Sequence, residues 1–131
     1  MGINAYRQTI AKTEAPRQIE RRLLSEATSL LLQHTDFDAL ETKEEKLAAL
    51  SGGVRDAIWK NEQIWLAFKF DLAEQENGLP PQVRASLISL ALWVEKHSVG
   101  VLRGTQKIKP LIDINRSIIR GLSGDASEEG E

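Results

Sequence analysis

Leu47, Leu50, Val54, Ile58, Asn61, Trp65, Phe68 and Leu72 follow one another at spacings of three and four. A strand alternates with period two, so only a helix gathers all of them on one face. Gly52-Gly53 interrupts this seam, and two adjacent glycines cost about 2 kcal/mol relative to alanine inside a helix. The spacing therefore predicts a break or kink at the glycines, with the second piece running over 54–75. Thr42-Lys43-Glu44-Glu45 precedes the seam. A threonine followed three residues later by glutamate is a capping box, so a helix should start there. Asn77-Gly78 should end it, because glycine tolerates the left-handed backbone of a helix stop.

The rest of the chain repeats the pattern. Three of the four prolines stand where helices should begin. Thr13-Glu14-Ala15-Pro16 predicts a first helix over 14–34, with Thr13 as its cap and Pro16 in its first turn. Its apolar positions are Ile19, Leu23, Ala27, Leu30 and Leu31. Leu79-Pro80-Pro81 reads as a rigid connection into a helix over 81–102, with Gly104 as its stop. The seam of that helix is Val83, Leu87, Leu90, Val94, His97 and Val101. Ile88, Leu92 and Trp93 widen it to most of the circumference, which suits a central helix or one covered by a partner. Lys107-Ile108-Lys109-Pro110 reads as another connection. Leu111, Asn115, Ile118 and Leu122, with Ile112 and Ile119 beside them, then form a last helix closed by Gly121 and Gly124. No stretch alternates well enough to be a strand. The expected fold is all-α, a small bundle of four or five helices. One domain should span 1–122, with an N-terminal arm over 1–12 and an acidic disordered tail over 123–131.

Chemistry is conspicuous by what it lacks. The 131 residues hold no cysteine and two histidines, His34 and His97, without carboxylates at ligand spacing. No thiol nucleophile, thiolate metal site or disulfide can form. His97 lies on an apolar seam, where a hydrogen-bonded core histidine is the expected role. Ser51-Gly52-Gly53-Val54-Arg55 has glycines but not the Lys-Ser/Thr of a phosphate loop. Nothing supplies an activated nucleophile or a tuned acid-base pair. We expect no enzyme, no cofactor and no metal. The longest unbroken apolar run, Leu90-Ala91-Leu92-Trp93-Val94, falls far short of a membrane span, and no basic-apolar leader opens the sequence. A cytoplasmic protein without a membrane partner is expected.

Net charge is −2 overall, but residues 103–121 carry +4 and residues 122–131 carry −4. Single-stranded RNA binding wants exposed aromatics among the cations. Trp59, Trp65 and Trp93 all fall in the acidic or neutral middle of the chain instead, so direct RNA binding is not expected. Asn61 and Asn115 are the sharper signal, since each interrupts an apolar seam. A buried amide costs about 1–3 kcal/mol unless its hydrogen bonds are made. Each either satisfies a helix end or loop backbone, or lines a groove for another chain.

Several segments together resemble a known family. They are Asn61-Glu62-Gln63-Ile64-Trp65, Asp71-Leu72, Leu79-Pro80-Pro81-Gln82-Val83-Arg84-Ala85, Leu87-Ile88-Ser89-Leu90-Ala91-Leu92-Trp93-Val94 and Leu111-Ile112-Asp113-Ile114-Asn115-Arg116, followed by Gly121-Leu122. Asn4-Ala5-Tyr6 and Ala15-Pro16-Arg17 fit as well. In order and spacing they resemble the FlaF flagellar regulators of alphaproteobacteria, up to Leu122. Residues 36–53 are the least family-like, and the acidic tail is peculiar to this chain. The resemblance implies a small cytosolic protein without catalytic residues, needed for flagellin production and export and acting with the regulator FlbT. It implies a flagellin-binding chaperone or, alternatively, a regulator of flagellin messenger translation, directly or through FlbT. A helical bundle with an apolar groove can receive an amphipathic helix. Asn61, Trp65, Phe68, Leu87, Leu90, Trp93, Asn115 and Ile118 are the candidate flagellin-binding residues, although core packing is the commoner role for any one of the aromatics.

Overall fold

The computed structural model describes residues 16–74 and 78–123, with side chains over 19–74 and 78–121. The expected arm, the Thr13 cap, Asn77 and the tail beyond 123 lie outside the described residues. Five α-helices make up the described chain: α1 (Pro16–Leu32), α2 (Lys43–Ala49), α3 (Val54–Ala73), α4 (Pro81–Leu102) and α5 (Lys109–Ser123). Short 3₁₀ turns at Thr35–Ala39 and Leu50–Gly52 join the first three. The described residues include no strand, and the fold is the all-α bundle expected.

Helix α1 packs along α5 and α3, and α3 packs along α4. Helix α4 touches α5 only slightly, so it stands at the edge of the bundle and not at its centre. The core runs through Leu24 and Leu31 of α1, Ile58 and Trp65 of α3, Val94 and Val101 of α4, and Leu111 of α5. Burying side chains of this size contributes about 1.5–3 kcal/mol each.

The local signals hold. Thr42 accepts from the Glu45 amide at 3.1 Å, and the Glu45 carboxylate accepts from the Thr42 amide at 3.1 Å. These bonds to the Thr42 and Glu41 amides hold the Glu45 carboxyl below its ordinary range. The seam breaks at Gly53, whose φ of 110° belongs to glycine. A Cβ there would also meet the His34 ring at 2.8 Å. Gly104, at φ 76°, ends α4 in a Schellman turn: its amide donates to the Val101 carbonyl at 3.0 Å and the Thr105 amide donates to the Gly100 carbonyl at 2.9 Å.

Other expectations are corrected. The buried stripe of α1 is Leu24, Ala27, Thr28 and Leu31, and Leu23 faces solvent. Leu23 and Leu24 head two apolar stripes one residue apart, and packing on α5 and α3 selects the second. On α4 the most buried positions are Ala91, Val94, Ser98 and Val101, whereas Val83 is exposed. Leu47 is exposed too. Helix α3 ends at Ala73. The carbonyls of Leu72, in its last turn, and of Glu74, just beyond it, accept from the Arg84 guanidinium, each at 2.9 Å. Helix α5 begins inside the expected connection, at Lys109, and Gly121 lies within it.

Asp38 explains that earlier start. Its two carboxylate oxygens accept from the Ile108 amide at 2.6 Å and the Lys109 amide at 2.9 Å. A side chain seventy residues away thus satisfies two amides at the α5 N-terminus, where a negative charge also suits the helix dipole. The same segment is anchored by Lys46, which donates to the Phe37 carbonyl at 3.2 Å and lies over the Phe37 ring. Asp38→Ala should lower stability by about 1–2 kcal/mol, as loss of a helix cap does. A lower urea midpoint at unchanged slope would register it.

Candidate functional site

Asn61, Trp65 and Asn115 form one buried network. Trp65 Nε1 donates to Asn115 Oδ1 at 2.9 Å, and Asn115 Nδ2 donates to Asn61 Oδ1 at 2.8 Å. An indole N–H can only donate, so it fixes the orientation of both amides in turn. Both asparagines are 0% exposed and Trp65 is 2% exposed. The asparagines play the structural part of buried amides that fix the register of a bundle, by a different bond from the one expected. They satisfy no helix end and line no open groove; they bond each other across α3 and α5. Among the described residues, Asn61 Nδ2 and Ser98 Oγ remain buried without a hydrogen-bond partner.

The other candidates divide by exposure. Phe68, Leu90 and Ile118 are half-buried against the core, with Phe68 edge-on to Trp65 at 5.5 Å. Leu87 is half-buried. Trp93 is 38% exposed. The structure therefore does not bring the eight candidates to one surface: three are interior and Trp93 is the most open.

Several large apolar residues outside the eight candidates are open as well. Trp59 (56%) and Phe70 (65%) lie on the outer face of α3, and Leu92 and Val99 lie on that of α4. Trp59, Leu66 and Phe70 recur at intervals of seven and four, as do Leu92, Lys96, Val99 and Arg103 at four, three and four. That helical spacing, off the buried seam, was the available signal. Helix α4 is also long and apolar enough, by length and composition alone, to cross a membrane.

Around Trp93 the surface turns basic. His97 stacks on Trp93 at 4.7 Å, and its Nε2 is 2.8 Å from the Lys107 carbonyl. It is half-buried, tied to a loop backbone at the bundle edge and not within the core as expected. Lys96 and Arg103 stand beside this pair. The aromatic neighbour that the basic stretch lacks in sequence is thus supplied by the fold. Glu95, on the same helix, pairs with Lys69 of α3 at 2.9 Å. The Glu62 carboxyl is held above its ordinary range by partial burial and then by the Glu95 charge. A folded-state pKa raised in this way adds stability below the unfolded value and loses it as pH rises through the folded one. Glu62→Gln should therefore stabilise the protein at neutral pH and leave it nearly unchanged in mild acid, as thermal melts at the two pH values would register.

Among the described residues no cluster of three or more His, Asp or Glu could hold a metal ion. No curated protein and no solved structure matches the chain. A family model described as flagellar protein FlaF matches residues 2–122. With that match running through every helix described above, the chain belongs to the FlaF family of flagellar proteins.

Proposed function

We propose that this protein binds flagellin in the cytoplasm and promotes its synthesis or secretion as a non-enzymatic chaperone, acting with FlbT. Membership of the flagellar family supports the pathway. The observation that carries the binding role is the open apolar surface of α3 and α4, with Trp59, Phe70, Leu92 and Trp93 each more than a third exposed. Large aromatics of this kind dominate binding energy at protein interfaces. An amphipathic helix from an unassembled subunit is the natural occupant of such a surface.

A second reading has one observation in its favour. Trp93 stands beside Lys96 and Arg103, an aromatic with cations, which is how single-stranded RNA is held. Regulation of flagellin messenger translation, directly or through FlbT, would use it. Co-purification from cells, with mass spectrometry and RNA sequencing of one eluate, separates the two. We expect flagellin without its messenger. A salt-sensitive complex with the messenger and no flagellin would overturn the chaperone reading, because each phosphate contact releases a counterion.

A further inference from the structure

The C-terminal half of α4 and the turn after it enclose a half-open cleft of about 480 Å³. Its construction is specific. The Schellman turn folds the chain back over the helix end, and Thr105 Oγ1 adds a third bond, to the Gly100 carbonyl, at 3.0 Å. A Cβ on residue 100 would run into the Gln106 side chain, so a larger residue there would force Gln106 to shift. His97 ties the far side to the Lys107 carbonyl and holds Trp93 by stacking.

The charge of the cleft is one-sided. Lys96 and Arg103 stand at its edge, and among the described residues no carboxylate lines it. Among the described residues neither cation pairs with an acid. The one acid of α4, Glu95, is engaged by Lys69. The outer face of α4 continues the theme: Leu92, Lys96, Val99 and Arg103 alternate apolar and cationic along one stripe, all exposed. Such a stripe is complementary to an amphipathic helix whose apolar residues are flanked by carboxylates.

We propose that this cleft docks an acidic amphipathic segment of a protein partner. One large apolar side chain enters between Trp93 and Gly100, and carboxylates on either side meet Lys96 and Arg103. The proposal deepens the reading above and rests on it for the partner's being a protein. Nucleic acid fits less well, since His97 already occupies one face of the Trp93 ring.

The test is a charge swap on the full chain. Two labelled helix-forming peptides carry Leu at every third and fourth position, one with Glu elsewhere and one with Lys. Fluorescence polarisation measures each against the parent and against the Lys96→Glu/Arg103→Glu double variant. A thermal melt matching the parent's confirms folding, as expected for two exposed side chains. The parent should prefer the Glu peptide, the double variant should lose that affinity by about tenfold or more, and it should gain the Lys peptide. Equal binding of both peptides, or no loss on charge reversal, overturns the proposal. So does tighter binding of an oligouridylate or of anionic phosphatidylglycerol vesicles, lost in the double variant. Purified flagellin is measured in parallel. If the double variant holds flagellin as tightly as the parent, the cleft fails as its dock and the chaperone reading stands. If the peptide preference appears while the parent ignores flagellin, the cleft stands and the chaperone reading fails.

Discussion

Trp65→Ala should be the most damaging single substitution in the described chain. Truncating a buried aromatic costs about 3–5 kcal/mol through lost transfer energy and the cavity left behind. Trp65 is 2% exposed and meets Phe68 edge-on. Its loss would also strand Asn115 Oδ1, which accepts from the indole N–H. An orphaned buried acceptor adds about 1–3 kcal/mol. A domain of this size holds only about 5–15 kcal/mol in total, so the variant can fall out of the folded state altogether. Trp65→Phe separates the terms. It keeps most of the ring and removes the donor, so it should fold and lose about 1–3 kcal/mol in a urea titration. Flagellin binding by Trp65→Ala should fail only in proportion to the unfolded fraction. A Trp65→Ala protein that stayed as stable as its parent would contradict the buried network.

The same network shows why part of this molecule was legible in its sequence and part was not. The capping box at Thr42, the break at Gly53 and the stop at Gly104 each depend on residues within about five positions of one another, so composition and order reveal them. Asn61 and Asn115 are 54 positions apart, and Asp38 reaches amides 70 and 71 positions on. Spacing marks each asparagine as anomalous on its helix. It cannot say that the anomalies are each other's solution, because that depends on how α3 and α5 are brought together. Leu23 and Leu24 make the same point within one helix: both stripes are amphipathic, and only the neighbours choose between them. On α4, the small residues Ala91 and Ser98 are buried, whereas a reading weighted by hydrophobicity favours Val83.

The surface followed the same division. Too much apolar area on α4 was legible, because no single seam accounts for Leu92 and Trp93 together with Val94. The exposed aromatics of α3 were not, because attention to the seam through Ile58 and Trp65 conceals a second stripe through Trp59 and Phe70. The basic character of the Trp93 cleft was legible least of all. Lys96 and Arg103 lie on one face of α4, but the turn that closes the cleft comes from beyond the helix end.

Trp93→Ala should give the opposite pattern to Trp65→Ala. Trp93 is 38% exposed and stacks on His97, itself half-buried at the bundle edge. Truncation therefore opens a surface cleft and leaves the core that runs through Val94 and Val101 in place. The thermal midpoint should stay close to the parent's. Affinity for purified flagellin should fall by about 2 kcal/mol or more, some thirtyfold, as for an anchoring aromatic at an interface. The contrast is diagnostic because both variants remove the same side chain. One loses binding with folding, and the other loses binding alone. Trp59→Ala, on the outer face of α3, shows how far the surface extends: a comparable loss places both helices in the interface, and an unchanged affinity leaves Trp59 outside it. If Trp93→Ala and Trp59→Ala both stay folded and bind flagellin as tightly as the parent, the open aromatics are not the site. The basic run from Arg103 to Arg120 then becomes the surface to alter.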